Sequence, residues 1–236
     1  MVLKQEKINF NIAENIKSIR FDIGLSYCAP NSAVWLTQEP EKLHVIGVEP
    51  NPECINNIKQ NGLYCVQKGI KPFHSKNFQL IEYALDNVEE PQVQQFYCTA
   101  RDPGTSSLLK PTLHLGNPVK SITEVTTTSF YNLLQSIDYN RFEYVELVKI
   151  DTQGKDLDII KSAGEYLDKI VFLNCEVNTF NHYEGNFKPD EINQFLQSKN
   201  FIKLHDNSYV ANQVVDSTYI NKKFLDLKDK IDYTVL

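Results

Sequence analysis

The sequence predicts an α/β fold with a mostly parallel sheet covered by helices on both faces. Three observations point to it. Strand-like runs alternate with helical segments along nearly the whole chain. The runs are rich in Val, Ile and Leu, as strands buried on both faces are. Each also closes on an acidic or polar residue at its C-terminal edge, where open α/β sheets place their ligands.

The runs are SIRFDIG, LHVIGVEP, FQLIEYALD, YVELVKID and KIVFLNCEV. Helices are expected after Pro30, over Pro52 to Gln60, over Lys155 to Tyr166 and over Pro189 to Ser198. In the third, Leu157, Ile160 and Gly164 share a face, while Asp156 and Asp158 sit in the first turn, where the helix dipole favours acids. Residues 92–128 interrupt the alternation with two extended runs around a long loop, RDPGTSSLLKPTLHLGNP, of the kind that serves a function. Residues 1–18 read as an N-terminal helical extension, and the C-terminal part as a pair of strands turning at Asp206-Asn207-Ser208. No linker or repeat divides the 236 residues, so residues 1–236 are expected to form a single domain.

Composition excludes several classes. A net charge of -6, with Lys and Arg in no block longer than a pair, gives no electrostatic case for nucleic acid. The N-terminal segment lacks the apolar core of a signal peptide, and no run approaches the roughly 18 apolar residues of a membrane span. The expectation is a soluble, cytoplasmic protein without a membrane span. Five cysteines, never spaced as C-x-x-C, read as reduced structural thiols.

The stretch FDIGLSYCAPNS carries the first chemistry. Gly24 supplies a tight turn after the first strand, and Pro30 suits the first helical position. A dinucleotide loop would have further glycines where Ser26 and Ala29 stand. Glu49 ends the second strand 25 residues after Gly24, placed to accept hydrogen bonds from ribose hydroxyls. Ser26 crowds a pyrophosphate but not a cofactor without phosphates, which favours S-adenosylmethionine over NAD. Asp22 would receive its ammonium group, directly or through water. Ala84 and Asp86 fit an adenine pocket, with Asp86 accepting the exocyclic amine, or else form a plain turn.

Lys149 and Asp151 flank Ile150 and so share one side of their strand. They read as an active-site pair or as an ion pair that serves the fold. The fifth strand closes with Glu176, and the following loop brings Asn178, His182 and Tyr183 toward the same edge.

These residues resemble the FkbM family of S-adenosylmethionine-dependent methyltransferases. The resemblance rests on FDIGLSYCAPNSAVWL, VIGVEPNP, EYALDN, the GTSSLL loop, and above all VKIDTQGKDLDIIKSA followed by FLNCEVN. It spans Ile19 to Asn221. It implies a Rossmann-like class I methyltransferase fold with a seven-stranded, mostly parallel sheet and an antiparallel last strand. It also implies an O-methyltransferase acting on a hydroxyl of a sugar or glycan. Asp22, Gly24, Ser26, Glu49, Ala84, Asp86 and Asp151 would then bind cofactor. Lys149, Asp151 and His182 are the catalytic candidates, the base being Asp151 or His182. Arg101, Ser106, Ser107, Glu176, Asn178 and Tyr183 would meet the acceptor beneath a lid formed by residues 92–128. Asp151 and Glu176 are the ligands of a divalent metal, if one takes part. The acid usual in this family two residues after the Asp is Gln153 here, and its Leu-Asp pair is replaced by Ser129-Phe130-Tyr131. The acceptor would be a glycan, a nucleotide-sugar or a lipid-linked saccharide, and not nucleic acid. Two alternatives stay open, a nicotinamide-dependent oxidoreductase and a non-catalytic cofactor-binding module.

Overall fold

A computed structural model describes residues 8–178, 180–209 and 214–236. In chain order the elements are β1 (Ser18–Ile23), α1 (Pro30–Gln38), β2 (Leu43–Val48), α2 (Pro52–Asn61), β3 (Leu63–Cys65), β4 (Ile70–Phe73), β5 (Phe78–Ile81), β6 (Ala84–Leu85), β7 (Gln92–Thr99) and β8 (Val119–Thr128). There follow α3 (Phe130–Leu134), β9 (Val145–Ile150), α4 (Asp156–Ser162), β10 (Ile170–Asn178), α5 (Pro189–Ser198), β11 (Phe201–Tyr209) and β12 (Val214–Asn221).

Seven strands form the main sheet in the order β11-β12-β10-β9-β1-β2-β5. Pairing is parallel from β10 through β9, β1 and β2 to β5, while β12 runs antiparallel to both β10 and β11. The two-residue period of the strands sorts side chains to two layers. Ile19, Phe21, Ile23, Val148 and Ile150 pack on one face with Phe130, Leu133, Leu157 and Ile160. Val45, Leu147 and Phe172 pack on the other with Ala33, Trp35 and Leu36 of α1. Ile150 thus points away from Lys149 and Asp151, which approach each other on the α1 side.

Four expected features take a different form. Residues 8–17 contain a turn at 14–15 and no helix, because Ile8, Phe10 and Ile12 alternate with period two and lay an extended segment against the core. The remainder of the expected 1–18 extension, residues 1–7, lies outside the described residues. FQLIEYALD is not one strand. β5 ends at Ile81, and β6 leaves the main sheet to pair with β8 in a separate sheet ordered β6-β8-β7. The helix expected to reach Tyr166 ends at Ser162, and a tighter 3₁₀ segment, Gly164–Lys169, follows from Gly164 at φ +58°. Asp206, Asn207 and Ser208 do not turn the chain but pair with Ser217, Asp216 and Val215. Asp206 tolerates the strand because it accepts from Ser217 Oγ at 2.6 Å and pairs with Lys203.

Among the described residues, no helix is long and apolar enough to cross a membrane. All five cysteines are free thiols, and four are buried.

Candidate active site

At the C-terminal edge of β1, β2 and β9 lies a cleft with about 530 Å³ of empty space, open in part to solvent. Its apolar lining comes from Ile23, Val48, Tyr83, Leu85, Phe96 and Leu108, and its polar lining from Ser26, Glu49, Asp151, Thr152 and Lys155. Pro103, Gly104 and Ser106 from the β7–β8 loop also line it. Its size and mixed lining suit one small organic ligand.

The turn after β1 is built on close approach. Gly24 has φ +80°, and a Cβ placed there would stand 1.8 Å from the Asp151 carbonyl oxygen. Ser26 and Ala29 also hold left-handed backbones, at φ 58° and 48°. The glycine-loop conformation therefore survives at positions where the glycines are gone. Glu49 fixes this conformation. Its Oε2 accepts from Leu25 N at 3.0 Å and Ser26 N at 3.1 Å, and its Oε1 from Asn51 N at 2.8 Å. Burial nevertheless pushes the Glu49 carboxyl up to about 7, outweighing those three donors. Two carboxylate oxygens offer about four acceptor positions. One remains for a ligand hydroxyl while the turn keeps its bonds.

Asp22 does not line the cleft. It is buried, its Oδ2 accepting from Ser32 N and Ser32 Oγ, and its Oδ1 lies 3.8 Å from Lys149 Nζ. It therefore anchors α1 to β1 instead of presenting itself to an ammonium group. Ala84 lines the cleft, but Asp86 does not. Its Oδ1 is 2.6 Å from Lys155 Nζ and accepts from Asn87 N, while its Oδ2 accepts from Gln94 Nε2. Lys155 is the residue of that pair which reaches the cleft, so Asp86 is a poor reader of an exocyclic amine.

Lys149 is nearly buried, donating to the Gly24 carbonyl at 2.9 Å and to Asp151 Oδ2 at 3.3 Å. Burial works against its charge, yet Asp151, Asp22 and Asp216 more than offset this and hold its pKa above the usual lysine value. It stays cationic and does not serve as a proton acceptor. Asp151 lines the cleft with 32% of its side chain exposed. Gln153 Nε2 donates both to Asp151 Oδ1 at 2.6 Å and to Glu176 Oε2 at 3.0 Å. The Tyr183 hydroxyl lies 2.7 Å from Gln153 Oε1 and 2.8 Å from the Thr105 carbonyl, and its one proton serves either acceptor. Asp151, Gln153, Glu176 and Tyr183 are thus brought together. Among the described residues, no group of three or more His, Cys, Asp or Glu is placed to hold a metal ion. Asp151 and Glu176, the two expected ligands, have the Gln153 amide between them.

Other expected acceptor residues hold the loop itself. Ser106 Oγ accepts from Asn51 Nδ2 and Thr99 N, and Ser107 Oγ donates to the Gln153 carbonyl at 2.8 Å. Arg101 is exposed, bonded to the Gly116 carbonyl, and does not line the cleft. His182 is buried outside the cleft lining, its ring stacked on Phe180 and its carbonyl accepting from Thr112 N. The side chain of Asn178 lies outside the described residues.

Sequence reasoning gave no site role to three charged residues. Asp156, expected as a helix-dipole acid within the segment that carries the family resemblance, is fully buried. It accepts from Thr152 N, Thr152 Oγ and Glu176 N, which fixes the loop after β9 against β10. Burial and then the nearby Asp151 charge raise it to about 7. Lys155 contributes as described above, and its place directly after Gly154 at the start of α4 was its only signal. Asp216 stands opposite Glu176 across β10 and β12, raised to about 7 by burial and by Asp151 against the pull of Lys149. Its signal was its place in the last strand, legible only once the register is known.

The sequence model of the methyltransferase FkbM domain matches residues 22–203. No curated protein matches the chain. Among solved structures, a methyltransferase FkbM from Methylobacillus flagellatus KT is similar at TM-score 0.51 and 12% identity, with 87% of this chain and 44% of that chain covered. The chain therefore spans less than half of that protein's length, and the likeness is one of fold. Magnesium protoporphyrin IX methyltransferase from Synechocystis PCC 6803, solved with bound SAM, covers 89% of this chain and 72% of its own at 8% identity. Its TM-score is 0.41.

Proposed function

Because the chain belongs to the methyltransferase FkbM domain family, with the Rossmann-like class I methyltransferase fold, we propose that it transfers a methyl group from S-adenosylmethionine to a hydroxyl of a sugar or glycan. The observation that carries this reading is the continuity of one cleft. It runs from the Ala84–Phe96 apolar flank, past Glu49 and the Gly24 turn, to Asp151.

The residues fit the cofactor. The apolar flank suits an adenine, the open position on Glu49 a ribose hydroxyl, and the backbone around Ser26 the amino-acid end. When bound, S-adenosylmethionine supplies an electrophilic methyl group. The chain's own part is alignment and proton handling. Asp151, held by Lys149 on one oxygen and Gln153 on the other, faces the cleft and receives the acceptor's proton. His182, buried outside the lining, is set aside as the base. Asp151, exposed on the cleft lining, and Glu176, joined to it through Gln153, offer carboxylate oxygens that accept hydrogen bonds from a polyol. This supports a glycan, nucleotide-sugar or lipid-linked saccharide, presented by its sugar hydroxyls, over nucleic acid, and it agrees with the net charge of -6.

Incubation with radiolabelled S-adenosylmethionine and a panel of glycans and their deoxy analogues tests the proposal. Label should enter one hydroxyl and be lost with the matching deoxy sugar. Transfer to RNA or protein, with none to any glycan, refutes the acceptor class.

A further inference from the structure

Two carboxylates held close together normally need a positive charge nearby or else a shared proton. Here Lys149 meets Asp151 through Oδ2, and a different group stands between the facing oxygens of Asp151 and Glu176. They share the carboxamide of Gln153, whose two Nε2 protons are directed at Asp151 Oδ1 (2.6 Å) and Glu176 Oε2 (3.0 Å). The orientation of that amide is fixed by chemistry. Turned over, its carbonyl would meet both carboxylates and its NH₂ would face the Tyr183 hydroxyl, whereas as placed Oε1 lies 2.7 Å from that hydroxyl. A cation joining the same two oxygens would need to stand within about 2.0–2.6 Å of each. The Nε2 group fills that place.

We infer that the Gln153 carboxamide is a built-in substitute for a bridging cation, so that this cleft assembles and works without a divalent metal. The amide also does what an ion could not. Its Oε1 neighbour, the Tyr183 hydroxyl, also lies 2.8 Å from the Thr105 carbonyl of the β7–β8 loop, and its own backbone carbonyl accepts from Ser107 Oγ. The spacing of the acid pair is thereby tied to the position of that loop. Gln153 is accordingly a positioning residue that acts through Asp151. Its backbone sits at φ 60°, a conformation no harder for Glu than for Gln, so Gln153→Glu exchanges one NH₂ for one oxygen and little else. That exchange sets three carboxylates around the point the amide had occupied.

The inference extends the methyl-transfer reading by stating how its acceptor edge is held, but its decisive measurement needs no acceptor. Thermal melts of the full chain are recorded with EDTA and with graded MgCl₂, CaCl₂ and MnCl₂, against NaCl of equal ionic strength. The parent protein should show no saturable shift. Q153E should melt lower in EDTA and gain a saturable rise of about 3 °C or more with at least one cation. A saturable, EDTA-reversible shift in the parent that is lost in Asp151→Asn overturns the inference. So does a folded Q153E that ignores all three cations. If Q153E does not fold, the parent titration decides alone. Failure to methylate any glycan would defeat the functional reading and leave these melting curves to judge this one.

Discussion

Gly24 shows how one residue sets the geometry of the cleft. Its role is legible in FDIG as a turn glycine, but the reason is a long-range contact. A Cβ there would stand 1.8 Å from the carbonyl oxygen of Asp151, 127 positions later in the chain. Gly24→Ala should therefore cost roughly 3 kcal/mol or more and abolish S-adenosylmethionine binding, read by urea unfolding and calorimetry. Wild-type affinity in that variant would mean the turn relaxes freely away from β9. Asp151→Asn keeps the shape and a hydrogen-bond acceptor while removing the charge. Cofactor affinity should then persist, with methyl transfer falling about 100-fold or more. Loss of cofactor binding without a selective loss of turnover would instead place Asp151 in the binding of the donor. Asp22 and Asp86, expected at the cofactor, lie off the cleft lining for a common reason. An acid at a strand end looks the same in sequence whether it faces a ligand or a lysine, and Lys149 and Lys155 decided the matter.

At the scale of elements, Asn51 joins two structures with one side chain. Its Oδ1 caps α2 by accepting from Glu53 N, and its Nδ2 donates to the Pro103 carbonyl and Ser106 Oγ of the β7–β8 loop. Asn51→Asp retains the cap but loses both donors to the loop. Helix stability should hold, whereas cofactor dissociation should accelerate, measured by stopped-flow against Asn51→Ala, which also loses the cap at about 1 kcal/mol. Equal dissociation rates in Asn51→Asp and the parent would show that the loop closes without this tie. Strands β1, β2, β9 and β10 were legible because short Val-, Ile- and Leu-rich runs, as in strands buried on both faces, are a local signal. Helices α1 and α5 were legible from a proline at their first position. The path of FQLIEYALD was not legible, since β6 pairs with β8 more than 40 residues later in the chain, and register of that kind is not written in local pattern.

Across the whole molecule, buried acids set the response to pH. Burial raises Glu49, Asp156 and Asp216 each to about 7, above their unfolded values near 4. The folded chain therefore holds protons that the unfolded chain has released, so this contribution is full below pH 4 and is lost as pH rises through 7. His44 acts the other way. Burial, aided by Arg141, lowers it to about 4, and its contribution is lost as pH falls from 6.5 toward 4. Three groups outweigh one near neutrality, so the urea midpoint should be higher at pH 6 than at pH 8. The reverse order would show that these carboxylates ionise freely in the folded chain.

The bonds from Leu25 N and Ser26 N to Glu49 also foretell the calorimetry of the donor's arrival. A ligand that reaches this acid with both ribose hydroxyls takes the one open position and displaces a contact already formed, so part of the polar heat on the two sides cancels. Affinity must then come from drying the flank of Tyr83, Leu85 and Phe96, and association should carry a clearly negative heat-capacity change with a modest enthalpy. The turn, in this sense, already spends on its own chain most of the acid that the donor must reach.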